Sequence, residues 1–397
     1  MRRYIIAALV TAFMMVAASP DGSAQISGAA DTSKEGSLLI WPKIQTDNGT
    51  ETYILLTNNS SNKVCVKCYW EVKQARTNPA GPCLLSDFAM RLSARNSVMF
   101  RASDGCDLSG RGVAAGMGTG EEGVLKCWAV DRTLRKQISW NHLSGFAIVT
   151  KPFLAKRPQN AWQYSAWRFA ANVIDSSGNF ADGFWIGEVA GVGGADVNIM
   201  SLKASPTTVV TPANCPGPDY SAAACSLPNA AYDACPKYLT FDFLAEPTQG
   251  STTDGFAVNN LALVPCKSDL TGDTLSLKTK IEYTIWNEDG LQYSGLDQCA
   301  GCAYESYLGK LTVLRTYKPF LLSNLHTPAG RFRVEGTAGA GCAAGVEATS
   351  MVGVRSFRRV GDIQVVGTNG TASGKETTDY GYIRWLPTGE YYQMKRR

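Results

Sequence analysis

Two cysteine pairs and a run of aromatic rings are the residues whose types and spacing could do chemistry in this chain. Cys65-Val66-Lys67-Cys68 and Cys299-Ala300-Gly301-Cys302 both have CxxC spacing, and four thiolates from two such pairs suit a tetrahedral zinc ion. Strand alternation argues against that use, because Cys65 and Cys68 leave an extended strand on opposite faces and do not converge on one ion. Tyr69 and Ala303 stand where covalent haem attachment requires histidine. A thioredoxin-like thiol needs a helix N-terminus to lower its pKa, and no helical pattern follows either pair. The expectation is disulfides, with no metal and no cofactor.

The rings are Trp162, Tyr164, Trp167 and Phe169, followed by Phe180, Phe184 and Trp185. Flat rings on a sheet surface stack against sugars or insert into a partner protein. Trp162, Tyr164, Trp167, Phe184 and Trp185 are therefore the candidate binding residues. Trp162, Tyr164 and Ala166 alternate with Trp167 and Phe169 across a change of register, so part of the set must face inward.

Other chemistry finds no team of residues. The chain holds two histidines, His142 and His326, with no GxSxG or HExxH motif beside them. Each lies at or near an asparagine at a strand entry, which suits a loop or cap. Glycosidase chemistry needs two carboxylates about 5–10 Å apart; Glu188, Glu288 and Asp289 are candidates, although a turn accounts for Asp289 and a Gly-rich segment for Glu188. Gly116-Met117-Gly118-Thr119-Gly120 lacks the Lys-Ser/Thr of a phosphate loop and reads as flexible. Asp269 and Asp273 offer oxygens to Ca²⁺, but at the carboxylate density of a plain turn. No catalytic residue is assigned.

The compartment decides how the cysteines are read. Residues 1–24 have the form of a signal peptide, with Arg2 and Arg3 ahead of an apolar stretch and Gly22-Ser23-Ala24 as a small-residue cleavage site. That stretch falls short of the roughly 20 residues of a membrane helix, so no span is expected after its removal. All twelve cysteines follow it: Cys65, Cys68, Cys83, Cys106, Cys127, Cys215, Cys225, Cys235, Cys266, Cys299, Cys302 and Cys342. An even number in an exported chain implies disulfides, with connectivity open. Five lie before residue 150 and seven after residue 210. Complete pairing therefore requires a bridge between front and rear, for which Cys215 in the connector is one candidate.

These residues must be positioned by strands. Val64, Val66, Cys68, Trp70 and Val72 share one face of an extended segment, and Cys65, Lys67, Tyr69 and Glu71 the other, the pattern of a half-buried strand. Ile281, Tyr283 and Ile285 alternate likewise before Asn287-Glu288-Asp289-Gly290, a hairpin signal. No amphipathic helix longer than about three turns is evident. A faint repeat aligns Leu38-Leu39-Ile40 with Leu239-Thr240-Phe241, and Tyr53 onward with Leu261 onward. It also aligns Cys68-Tyr69-Trp70 with Thr284-Ile285-Trp286, and Asn141-His142-Leu143 with Asn324-Leu325-His326.

Leu56-Thr57-Asn58-Asn59-Ser60, the strand from Cys65 to Trp70, Lys126-Cys127-Trp128-Ala129-Val130-Asp131 and Asn141-His142-Leu143-Ser144-Gly145 resemble a family of exported bacterial β-sandwich proteins with no established activity. The resemblance is clear over roughly the front 110 residues; it implies fold and compartment, and no site residue.

The expected architecture is all-β: two tandem immunoglobulin-like antiparallel β-sandwich domains, residues 37–175 and 237–366. Residues 176–236 form a disulfide-stapled Gly/Pro-rich connector and 367–397 a C-terminal tail. A net charge of +4 from 38 basic and 34 acidic residues, scattered along the chain, gives no reason to expect nucleic acid. The expected function is non-enzymatic, in cell-surface structure, adhesion or protein binding, with a cell-surface protein or polysaccharide as partner and a periplasmic, cell-surface or extracellular location. The alternatives are a carbohydrate-binding module using the aromatic set and a secreted hydrolase with paired carboxylates.

Overall fold

The computed structural model describes residues 30–47, 49–73, 83–151, 160–173, 179–188, 199–201, 232–246, 256–270, 274–275, 279–313, 316–337, 342, 350–368, 371–385 and 390–391. The segment expected to be a signal peptide lies outside them, as do Cys215 and Cys225. The described chain is nearly all strand. In the front half the strands are β1 (Leu38–Gln45), β2 (Glu51–Asn58), β3 (Val64–Lys73), β4 (Cys83–Leu92), β5 (Asn96–Arg101) and β6 (Glu122–Val130). There follow β7 (Lys136–Ile138), β8 (Leu143–Lys151), β9 (Asn160–Ser165), β10 (Trp167–Phe169), β11 (Trp185–Glu188) and β12 (Ile199–Ser201). The rear half adds β13 (Tyr238–Leu244), β14 (Phe256–Pro265), β15 (Lys267–Asp269), β16 (Thr274–Leu275), β17 (Thr279–Asn287) and β18 (Gln292–Ala300). It ends with β19 (Tyr304–Tyr307), β20 (Ala329–Thr337), β21 (Met351–Thr368), β22 (Thr371–Trp385) and β23 (Glu390–Tyr391). The one α-helix among the described residues is the turn α1 (Leu322–Leu325), closed by His326 at φ 64.

All strand pairings between these elements are antiparallel, and they fall into several sheets. In the front half one sheet runs β10-β1-β6-β3-β4 and a second runs β5-β2-β8-β9. In the rear half one runs β13-β20-β17-β18 and another β19-β14-β21-β22-β23. The path β1-β6-β3-β4 is thus repeated in chain order as β13-β20-β17-β18, and β5-β2-β8-β9 as β19-β14-β21-β22. The sequence repeat meets this pairing at β1/β13, β2/β14 and β3/β17. Its fourth match does not hold: Asn141-His142-Leu143 leads into β8, the counterpart of β21, whereas Asn324-Leu325-His326 leads into β20, the counterpart of β6. Immunoglobulin constant domains pair their first two strands in one sheet; here β1 and β2 lie in different sheets.

The two front sheets pack face to face on Leu39, Trp41, Ile54, Leu56, Trp70 and Phe100, all fully buried. Gly145 permits that contact, since a Cβ there would lie 2.5 Å from the Trp41 ring. The opposite face of β3 and β6 is also covered. Tyr69, Val124, Trp128 and Val130 join a second core with Phe241, Tyr283 and Phe332 of the rear half. This corrects the half-buried reading of β3: Glu71 is fully buried, its carboxylate 2.6 Å from the Lys126 ammonium, itself fully buried. Two charges stay in the interior because each neutralises the other.

Further ties join the halves. β16 extends the front sheet by pairing with β4, and the Trp167 indole N–H donates to the Gly353 carbonyl at 2.9 Å. The Lys43 ammonium donates to Asn260 at 2.8 Å and pairs with Glu305. The expected connector is partly structured: β11 pairs with β7, β12 with β15, and Asp233 accepts from the Ala170 N–H at 2.9 Å. Within the expected tail, residues 371–385 form β22 against β21.

Candidate functional site

Among the described residues four disulfides form: Cys68–Cys127, Cys83–Cys302, Cys235–Cys266 and Cys299–Cys342. The register explains the first, since Cys68 lies directly opposite Cys127 on neighbouring strands. The second bridges front and rear, the link that complete pairing would have required. Full pairing is not reached, because Cys65 and Cys106 are unbridged. Three of the four CxxC thiols are bonded to three different partners, which leaves no shared ligand set for zinc.

The unbridged Cys65 marks the place where side chains of mixed chemistry converge. It stands opposite Arg91 of β4 on one side and Val130 of β6 on the other. Directly opposed residues project from the same face of a sheet, so Arg91, Cys65 and Val130 form a row. Just beyond Val130 the chain turns. The Asp131 carboxylate accepts from the N–H groups of Arg135 and Lys136 at 3.0 and 3.1 Å and from the Thr133 hydroxyl at 2.6 Å. This turn carries Arg132 outward.

A loop closes the other side. The Ser139 hydroxyl donates to the Ala181 carbonyl at 2.6 Å and accepts from the Phe184 N–H at 3.0 Å, and Gly183 donates to the Ser139 carbonyl. Gly183 turns at φ 81, a conformation that disfavours other residues. His142 then fixes Asp182, with its Nε2 2.7 Å from the carboxylate and its Nδ1 3.6 Å from Glu35. The Asp182 hydrogen bond, helped by both carboxylate charges and opposed by burial, raises the His142 pKa.

The space enclosed is a cavity of about 660 Å³. Its floor is apolar, made by Val64, Val130, Ile138 and the Trp140 ring. Its rim carries Lys63, Arg91 and Arg132 against Asp131 and Asp182, with Cys65 between. Burial pushes the Cys65 thiol above its ordinary pKa; Arg91 and Arg132 oppose that shift and Asp131 reinforces it. The thiol is therefore protonated at neutral pH and a poor nucleophile.

The aromatic set is not assembled into one surface. Tyr164 and Trp167 are each 1% exposed and sit in different cores. The Tyr164 hydroxyl donates to the Lys43 carbonyl. Trp162 and Phe184 are half-buried against separate cores. Trp185 is half-buried, with its N–H on the Gly187 carbonyl at 2.6 Å and the Lys136 ammonium 4.7 Å from its ring. Part of the set faces inward as the register change implied: Tyr164 and Trp167 turn into the cores, and the other rings lie on separate elements.

The remaining candidates resolve individually. Glu288 and Asp289 are exposed in the β17–β18 turn. The Glu188 side chain, the Asp269 side chain and Asp273 lie outside what is described. The 116–120 loop is held, not free: Met117, Gly118 and Gly120 donate to the carbonyls of Ala102, Ser103 and Thr46. A pair of acids that sequence did not reveal is Glu122 and Glu305. Burial, then the Glu305 charge, raises the Glu122 carboxyl pKa, and the Lys43 ammonium beside them is committed to Glu305 and Asn260. Among the described residues no group of three or more metal-ligating side chains forms, and no helix is long and apolar enough to cross a membrane.

Fold and site together define an all-β, disulfide-bridged protein with an open cavity at the ends of its front strands. No family model matches the chain, and no curated protein matches it. Among solved structures it is similar to the "PBSX exported protein XepA", at 7% identity and a TM-score of 0.17, with 83% of this chain and 84% of that chain covered. A likeness that weak bears on neither fold nor function.

Proposed function

We propose that this is an exported, non-enzymatic binding protein of the cell envelope or its exterior. It is built as two tandem β-sandwiches of like strand order and takes its ligand or partner at the cavity beside Cys65. The observation that carries the reading is that cavity: about 660 Å³ with an apolar floor and a charged rim, formed where strand ends and clamped loops meet. Rigid sheets that present recognition groups at their ends are a common basis for binding. The disulfides suit an oxidising compartment. Binding is favoured over catalysis by the state of the two reactive groups near the cavity. Cys65 is held protonated, and both His142 ring nitrogens face carboxylates, so no base stands ready for the thiol.

The test is to fill the cavity. In a Cys106→Ser background, Cys65 is alkylated with excess N-ethylmaleimide at raised pH, where its thiolate forms, the site of modification is checked by peptide mapping, and binding of the neutral fluorophore 2-naphthalenemethanol is titrated at neutral pH. Binding should be present before alkylation and fall at least ten-fold after it. Binding left unchanged by a modified Cys65, or no binding at all, would overturn the cavity as the recognition site.

A further inference from the structure

We infer that the Cys65 cavity selects an organic carboxylate carried on an apolar ring or chain; this rests on the binding reading above. The floor of Val64, Val130, Ile138 and Trp140 favours an apolar body. The rim settles the sign of the head group. Its two carboxylates are already engaged, Asp131 by its own turn and Asp182 by His142. Its three cations, Lys63, Arg91 and Arg132, make no ion pair among the described residues, although they ring one opening.

Arg91 and Arg132 also converge in space. Arg91 faces Cys65 across β3–β4, and Arg132 follows Val130, which faces Cys65 across β3–β6 by two residues. Both arginines therefore line the cavity beside Cys65, one from each neighbouring strand's side, and both charges act on its thiol. A guanidinium presents a planar fork of donors that matches a carboxylate through two parallel hydrogen bonds. A head group placed above Cys65 would meet one fork on each side while its body lay on the Trp140 floor. Because the cations are exposed, salt should weaken the interaction.

The experiment compares 2-naphthoate with 2-naphthalenemethanol, which share a ring body and differ in head charge, by fluorescence titration on the intact protein. The wild type should bind the carboxylate at least ten-fold more tightly, with the advantage shrinking as NaCl rises. Arg91→Gln and Arg132→Gln should each weaken 2-naphthoate by about ten-fold, the scale of a hydrogen bond to a charged group. Both should weaken the alcohol much less than the carboxylate, since a neutral hydroxyl offers no charge to pair, and both positions are exposed, so folding is retained. Equal binding of the two probes, or arginine variants that bind 2-naphthoate normally, overturns the inference. If the alcohol still binds and alkylation of Cys65 blocks it, the cavity reading survives that failure; if neither probe binds, both fall.

Discussion

His142 is the residue whose chemistry most directly shapes the cavity wall, because it joins Asp182 of the loop to Glu35 of the first segment. Its pKa is raised in the folded protein above the ordinary value of about 6.5. The stabilisation it supplies is therefore fully present below that ordinary value and is lost as pH rises through the higher folded one. Replacing His142 by Gln should lower the thermal midpoint more at pH 5.5 than at pH 8.5. Melting curves of both proteins across that range decide it, and a pH-independent difference would show that the ion pairs contribute nothing. Sequence marked His142 as a loop residue and gave no sign of its partners, which lie 40 and 107 positions away. Lys63, Arg91 and Arg132 were equally silent. Their meeting is a product of strand register, and no local spacing encodes which residue will stand opposite Cys65.

At the scale of elements, β3 and β6 show what alternation can reveal. The even residues of β3 read correctly as a core face, because their apolar run alternates with Lys67 and Glu71. The odd face, with Lys67 and Glu71, reads as solvent-exposed, since charge on a strand normally means water. The rear half covers it instead, and Glu71 survives there through Lys126. Burial lowers the Lys126 pKa, with the Glu71 charge opposing. Lys126→Met alone should destabilise the protein by about 3–5 kcal/mol, because it leaves a buried carboxylate without its partner. Adding Glu71→Leu should recover most of that loss in urea unfolding. A double variant no better than the single one would mean that packing, and not the stranded charge, sets the cost. The same elements explain the failed fourth match of the repeat. Asn141-His142-Leu143 and Asn324-Leu325-His326 are both turn chemistry, and similar turns precede strands at different places in the two halves.

At the scale of the whole molecule, the question is whether the halves unfold together. Non-covalent ties are numerous: one core is shared, β16 completes the front sheet, Trp167 reaches Gly353, and Lys43 reaches Glu305. The Cys83–Cys302 bridge adds a covalent one across 219 positions of sequence. Odd cysteine counts made a front-to-rear bridge legible, even though Cys65 and Cys106 stay unbridged; they did not say which thiols form it. By the chain-entropy model, a loop of that length restricts the unfolded chain by about 5 kcal/mol, against about 4 for a closure the length of Cys235–Cys266. The variant Cys83→Ser with Cys302→Ser should therefore lose more stability than Cys235→Ser with Cys266→Ser. Because the shared core remains, its calorimetric trace should still show one transition at a lower midpoint. Two separated transitions would show instead that the bridge is what couples the halves. In that case the second face of β3 and β6, Glu71 and Lys126 included, would be exposed when the rear half melts, and the cavity beside Cys65 would lose the core that Val130 shares with that half.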